Sequence, residues 1–218
     1  MDSISFDLIL VARTMDDGLR IITQNTIDSC INGVRNGSKV NVILVETSGK
    51  LCDQYRNVSK MILYEGLFKY NRALNMGLDR AKGDFHILAN NDLNFHENWD
   101  SIGEIMKLNG YLSCSAMSQD PRQNKFIKGD YAHEGYKIGQ QLTGWCIFID
   151  HKLLKIIGRL SEKHDFWYSD DDYAEQLIAH NVKHALIGCV TVDHVHGGSK
   201  TLIKLDRLTR QRYTHARR

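Results

Sequence analysis

Proline is nearly absent from this chain: among 218 residues only Pro121 is one. Long apolar runs are missing as well, and none approaches the roughly 18 residues that a membrane span needs. The N-terminus carries no cationic stretch, and Asp7 interrupts its short apolar run, so no signal peptide is read there. The five cysteines (Cys30, Cys52, Cys114, Cys146, Cys189) are odd in number, widely spaced and never arranged as C-x-x-C. That excludes a disulfide framework or zinc ribbon and makes a reducing, cytoplasmic location the expectation. Neither G-x-x-x-x-G-K-[ST] nor G-x-G-x-x-G occurs, which excludes the P-loop and dinucleotide fingerprints. No internal repeat or low-complexity tract is present. With 42% hydrophobic and 25% charged residues, the composition is that of one ordinary globular domain with a sizeable core.

Net charge is small at +2, but it is unevenly spread. Residues 200–218 hold seven basic groups (Lys200, Lys204, Arg207, Arg210, Arg212, Arg217, Arg218) against Asp206, a net of +6, and the other 199 residues carry −4. The boundaries expected are a body over 1–199 and a basic, helical C-terminal tail over 200–218. Leu202, Leu205 and Leu208 would pack such a helix on the body. Clustered Lys and Arg also attract phosphates, so a tether for nucleic acid is the competing reading of the tail.

Short apolar runs alternate with amphipathic stretches. Leu8 to Val11, Val40 to Val45, Met61 to Tyr64 and Phe85 to Ala89 read as strands, and Leu19, Ile22, Thr26 and Cys30 recur at helical spacing. Leu67, Tyr70, Leu74, Leu78 and Ala81 predict an amphipathic helix ended by Gly83. A helix is expected around Trp99 to Leu108, a strand over Trp145 to Ile149, and helices over His151 to Ile157 and Asp172 to His180. Ser118 to Gln141 has no period and reads as a long irregular binding segment. This alternation predicts an α/β fold, a mostly parallel sheet flanked by helices. Ligands of such sheets bind beyond the carboxyl ends of the strands. The polar residues there are Arg13 and Thr14 after the first strand, Glu46 and Thr47 after the second, and Asn91 and Asp92 after Ala89.

Three segments carry candidate chemistry. Asn90-Asn91-Asp92 offers oxygens suited to Mg²⁺ or Mn²⁺, although Asx residues also simply dominate turns. Asp170-Asp171-Asp172 places three carboxylates together, which raises the pKa of at least one and suits a general base; a helix start is the plainer reading. His194 and His196 sit at i, i+2 and are candidate metal ligands, followed by Gly197-Gly198, which would let backbone approach a phosphate.

In this order the segments resemble the GT-A glycosyltransferases of family 2, across about Phe6 to Ser199. The most specific stretch is Tyr70-Asn71-Arg72-Ala73-Leu74-Asn75-Met76-Gly77 with Ala81-Lys82-Gly83-Asp84-Phe85, similar to the family's N-x-x-x-N-x-G helix and A-x-G-D-[YF] turn. Asn90-Asn91-Asp92 falls where the family has D-x-D. Thr143-Gly144-Trp145 through Ile149 is similar to its acceptor-side strand, Phe166 to Leu177 to its aromatic-acidic motif, and His194-x-x-Gly197-x-Ser199 to its H-x-x-G-x-S.

The resemblance implies a metal-dependent, inverting transfer of a sugar from a nucleotide-diphospho-sugar, UDP-linked for preference, to an acceptor hydroxyl. Asp92 would bind Mn²⁺ or Mg²⁺, with His194 or His196 as a second metal or diphosphate contact. Ala12, Arg13, Thr14, Glu46, Asn71, Asn75, Asn90 and Asn91 would line the donor site. Asp170 would be the base, with Asp171 its competitor, and Gly144, Trp145 and Trp167 would face the acceptor. That acceptor is open: a saccharide, a protein, a small molecule or a hydroxylated DNA base. The alternatives are a sugar-1-phosphate nucleotidyltransferase, whose Gly-rich basic loop after the first strand is lacking here, and a non-catalytic nucleotide or nucleic-acid binding module.

Overall fold

The computed structural model describes residues 3–126, 128–129 and 132–195. His196, Gly197, Gly198, Ser199 and the basic tail lie outside the described residues.

The elements run β1 (Ser5–Ala12), α1 (Asp17–Asn32), β2 (Lys39–Glu46), β3 (Lys60–Leu63), α2 (Tyr70–Leu78), β4 (Phe85–Asn90), β5 (Leu93–Phe95), α3 (Ile102–Asn109), β6 (Ser113–Met117), β7 (Ala132–Glu134), β8 (Cys146–Asp150), α4 (Leu153–Ile157), α5 (Ser169–Ala179) and β9 (His184–His194). One sheet takes the order β3-β2-β1-β4-β8-β6-β9-β5, with β7 added on β9. The pairs within β3-β2-β1-β4 are all parallel, as the βαβ alternation predicts. Beyond β4 the sheet is mixed. β8 is antiparallel to both β4 and β6, while β6 and β9 are parallel. β5 and β7 pair β9 antiparallel. β8 is antiparallel because the 118–142 segment leaves β6 and enters the neighbouring β8 at the same end of the sheet, with no crossover helix between them.

β1 sits between two neighbours and is buried from Phe6 to Ala12, so its sequence is a near-continuous apolar run. Its side chains alternate between two cores. Phe6, Leu8 and Leu10 join Ile27, Trp99 and Phe148 on one face. Ile9 and Val11 join Leu74, Tyr173 and Leu177 on the other. Glycine allows two close approaches. A Cβ on Gly33 would lie 2.7 Å from the Trp99 ring, and one on Gly77 would strike Ile9, so α2 rests directly on β1.

Candidate active site

The loops beyond β1 and β2 are locked together by one buried carboxylate. Glu46 is wholly buried, and its Oε1 accepts hydrogen bonds from the backbone N–H of Thr14 (3.0 Å) and of Ser48 (2.8 Å). Its Oε2 accepts from the Thr14 hydroxyl at 2.5 Å. A threonine hydroxyl has one proton to give, so the phenol of Tyr55, 2.6 Å away, donates to Thr14 Oγ1. Burial accordingly raises the Tyr55 pKa. Ala12 closes the same corner: its carbonyl accepts from the backbone and the hydroxyl of Thr47, both at 2.8 Å. Arg13 is exposed between these anchors. Glu46 therefore shapes the loop with both oxygens engaged.

At the end of β4 three consecutive polar side chains diverge. Asn90 Oδ1 accepts from the Tyr70 hydroxyl at the start of α2 (2.8 Å). The Asn91 amide donates to Thr23 on α1 (2.8 Å), and its carbonyl accepts from Thr26 (2.8 Å). Asp92 alone points to β9, where its Oδ1 lies 3.0 Å from His194 Nε2. The strand register makes the meeting: Leu93 pairs His194, and the Val195 N–H donates to the Asp92 carbonyl at 2.8 Å. The Trp145 ring stacks on the His194 imidazole, centroids 5.3 Å apart and planes 11° apart.

Asp92, Trp145 and His194 line a crevice of about 610 Å³ between α1 and the Ser118–Pro121 corner, together with Asn25, Gln119 and Asp193. Asp193 is held there by Gln119, whose N–H donates at 2.9 Å, and by His96 at 2.7 Å. A carboxylate oxygen and an imidazole nitrogen on one wall suit Mn²⁺ or Mg²⁺, which commonly completes its shell with substrate oxygens and water. No group of three or more His, Cys, Asp or Glu side chains poised for a metal exists among the described residues. The donor set thus fits a cation shared with a ligand, not a closed protein cage.

Helix α5 carries the acidic triplet in its first turn, where carboxylates complement the helix dipole. The chain enters through Tyr168, a non-glycine residue at φ +67. The three acids part company at once. Asp172 is buried and accepts from the Ser161 hydroxyl (2.7 Å), with His164 at 3.6 Å. The Asp170 carboxyl lies against Gly144; a Cβ there would sit 2.7 Å from its Oδ2. Burial, then the neighbouring Asp171, pushes the Asp170 pKa up, with Arg122 opposing. The Asp171 N–H donates to Asp170 Oδ1 at 3.1 Å. Trp167 packs edge-on against Phe166, which meets Tyr70 in the same way.

Asp92, His194, Trp145, Gly144 and Asp170 therefore form a continuous path, with Asn90 tied in by its N–H to the Trp145 carbonyl (2.9 Å). Asn71 and Asn75 are elsewhere. The Asn71 amide donates to the Ser161 carbonyl (2.7 Å). Asn75 donates to the Leu160 carbonyl (2.9 Å) and to Glu162 Oε1 (2.9 Å), and accepts from the Leu160 N–H (3.1 Å). Both asparagines pin segment 160–162 to α2, leading the chain toward α5. Sequence reasoning missed Arg122, Tyr70 and Asp193. The irregular segment flagged the region of Arg122, but nothing in its order distinguished one basic residue from another.

No family model and no curated protein matches this sequence. Solved structures do match its fold. A crystal structure of GalNAc-T7 with UDP, GalNAc and Mn²⁺ superposes with a TM-score of 0.70 at 11% identity, over 89% of this chain and 43% of that one. Staphylococcus aureus TarS (S. aureus) matches in two structures, both at 12% identity over 88% of this chain. Residues 1–349 give a TM-score of 0.62 over 60% of that chain, and a longer form gives 0.64 over 36%. The chain thus spans less than two thirds of each neighbour. The fold is the GT-A fold of glycosyltransferases.

Proposed function

We propose that the protein is a metal-dependent glycosyltransferase that moves a sugar from a UDP-linked donor to an acceptor hydroxyl with inversion at the anomeric carbon. One observation carries the reading: the Asp92–His194 pair and the Asp170 carboxylate are joined through the single turn Gly144–Trp145. A cation held by the pair supplies neutralisation of the departing diphosphate. Asp92 and His194 anchor the diphosphate end of the donor. Trp145 fixes the imidazole plane and forms the floor between donor and acceptor. Asp170, whose pKa burial raises, takes the proton from the acceptor hydroxyl as that oxygen attacks, which is general-base catalysis. Glu46, Thr14 and Tyr55 hold the loop beside the nucleoside rigid. A cytoplasmic setting accords with five cysteines that form no disulfide.

The test is donor binding followed by turnover. Thermal shifts with a panel of nucleotide-sugars, with and without Mn²⁺, are expected to find a UDP-sugar whose stabilisation needs the cation and vanishes in Asp92→Asn. Saccharide, protein, small-molecule and hydroxymethylated-DNA acceptors are then screened by release of UDP, with the anomeric outcome read by NMR. Asp170→Asn is expected to lose turnover by about 10²–10⁴-fold while still binding donor. Absence of any Mn²⁺-dependent donor binding would refute the reading, and full activity in Asp170→Asn with loss in Asp171→Asn would move the base by one residue.

A further inference from the structure

The irregular 118–142 segment lays a cation over this site. Arg122 stands in the short 3-10 turn Pro121–Gln123, directly after Asp120. Its Nε lies 3.0 and 3.1 Å from the two Asp120 carboxylate oxygens, and its Nη2 lies 2.6 Å from Oδ2. The guanidinium carbon is 5.8 Å from the centre of the Trp145 ring. The guanidinium rests on Gly139, a residue at φ +73 where any Cβ would collide with it. The backbone favours glycine at 139, and a side chain there would displace the guanidinium. The Arg122 side chain is 54% exposed, whereas Asp120 is 11% exposed, so the pair is anchored at its acidic end.

Trp145 follows Gly144, and the Asp170 carboxyl lies on Gly144. Among the described residues, two charged groups act on Asp170, Asp171 on its own helix and Arg122 from the irregular segment, while Asp170 in turn raises the pKa of the buried Tyr70 phenol on α2. Arg122 is the cation of this set. We propose that Arg122 is a positioning residue for the transfer step, fixing Trp145 by stacking and setting the charge around Asp170, with Asp120 as its counter-ion. The inference rests on the reading of Asp170 as the base. It makes a signed prediction. Removing the guanidinium leaves Asp170 beside Asp171 alone, so Asp170 keeps its proton to higher pH. Removing the Asp120 charge leaves the guanidinium uncompensated, so Asp170 releases its proton at lower pH. Lysine preserves the charge but lacks the planar fork that stacks on an indole.

Carboxyl ¹³C NMR titration of the full chain reads this directly, with the Asp170 signal assigned by its loss in Asp170→Asn. The midpoint is expected to rise by about 0.5–1 pH unit in Arg122→Met, to stay near wild type in Arg122→Lys and to fall in Asp120→Asn. The acid limb of the kcat/KM profile should move with it, and Trp145 fluorescence should change in both arginine variants. An unmoved midpoint in Arg122→Met, or shifts of one sign in both charge-removing variants, overturns the inference. Should Arg122→Met unfold, Asp120→Asn against Arg122→Lys decides on the same sign. The titration needs no turnover, so the two failures separate. Absent turnover with a shifted midpoint refutes the transferase reading, and normal turnover with a fixed midpoint refutes the role of Arg122.

Discussion

The indole of Trp145, in the turn before β8, and the imidazole of His194, at the end of β9, lie nearly parallel, with planes 11° and centroids 5.3 Å apart. The stack orients the nitrogen that faces Asp92. Groups that orient a metal ligand typically contribute about 10- to 100-fold to metal affinity. Trp145→Ala is therefore expected to weaken Mn²⁺ binding by that factor, measured calorimetrically with UDP present. Trp145→Phe, which keeps a ring, should lose much less.

Asn75 is expected to matter for stability and not for donor affinity. Truncation to alanine leaves the Leu160 N–H and carbonyl without their partner, a loss of about 1–3 kcal/mol. Urea unfolding of Asn75→Ala checks the magnitude. A tenfold loss of UDP-sugar affinity with unchanged stability would instead place Asn75 at the donor.

Gly77 and Ile9 make a test of packing. The added methyl of Gly77→Ala meets Ile9 across the α2–β1 contact, and overpacking of this kind costs about 1–3 kcal/mol. Removing the colliding Cγ2 in the double variant Ile9→Ala/Gly77→Ala should cost less than the sum of the two single variants. Additive destabilisation in the double-mutant cycle would contradict the contact.

His184 gives stability a pH dependence. It is buried among Ser113, Ser115 and the Gln141 carbonyl, and burial lowers its pKa from 6.5 to about 4. The unfolded chain binds the proton first, so stability is whole above pH 6.5 and falls as the pH drops toward 4. The loss reaches about 3 kcal/mol at the acid end of that window. Comparing wild type with His184→Gln at pH 4.5 and 7 isolates it from the carboxylates Asp7, Asp84 and Asp100, whose pKa values are lowered. Equal pH slopes in the two proteins would rule it out.

How much of this was legible in the sequence depends on whether local order carried it. β1, β2 and β4 are buried on both faces and announce themselves as apolar runs, and the alternation with α1 and α2 gave the parallel half correctly. β6, Ser113–Met117, was not read as a strand because its buried serines are satisfied by His184 and Tyr173, partners about 60–70 residues away. α5 begins at Ser169, earlier than expected, because the acids that look like a loop form its first turn. Asp92, His194, Trp145 and Asp170 were named by motif order, and the fold brings them side by side. Arg122 needed the fold, since its partners Gly139 and Trp145 are neighbours only in space.

The irregular register between β6 and β9 has a temporal consequence. Ala116 pairs Ile187 but Met117 pairs Thr191, so β9 swerves there and goes on to meet β5. Asp92 thus acquires His194 only through the far end of the last strand, 102 residues later. During synthesis the first hundred residues can assemble the parallel half of the sheet, yet the Asp92–His194 contact does not exist until residue 195 has left the ribosome and β9 has docked. A chain interrupted before that point lacks the Asp92–His194 contact altogether.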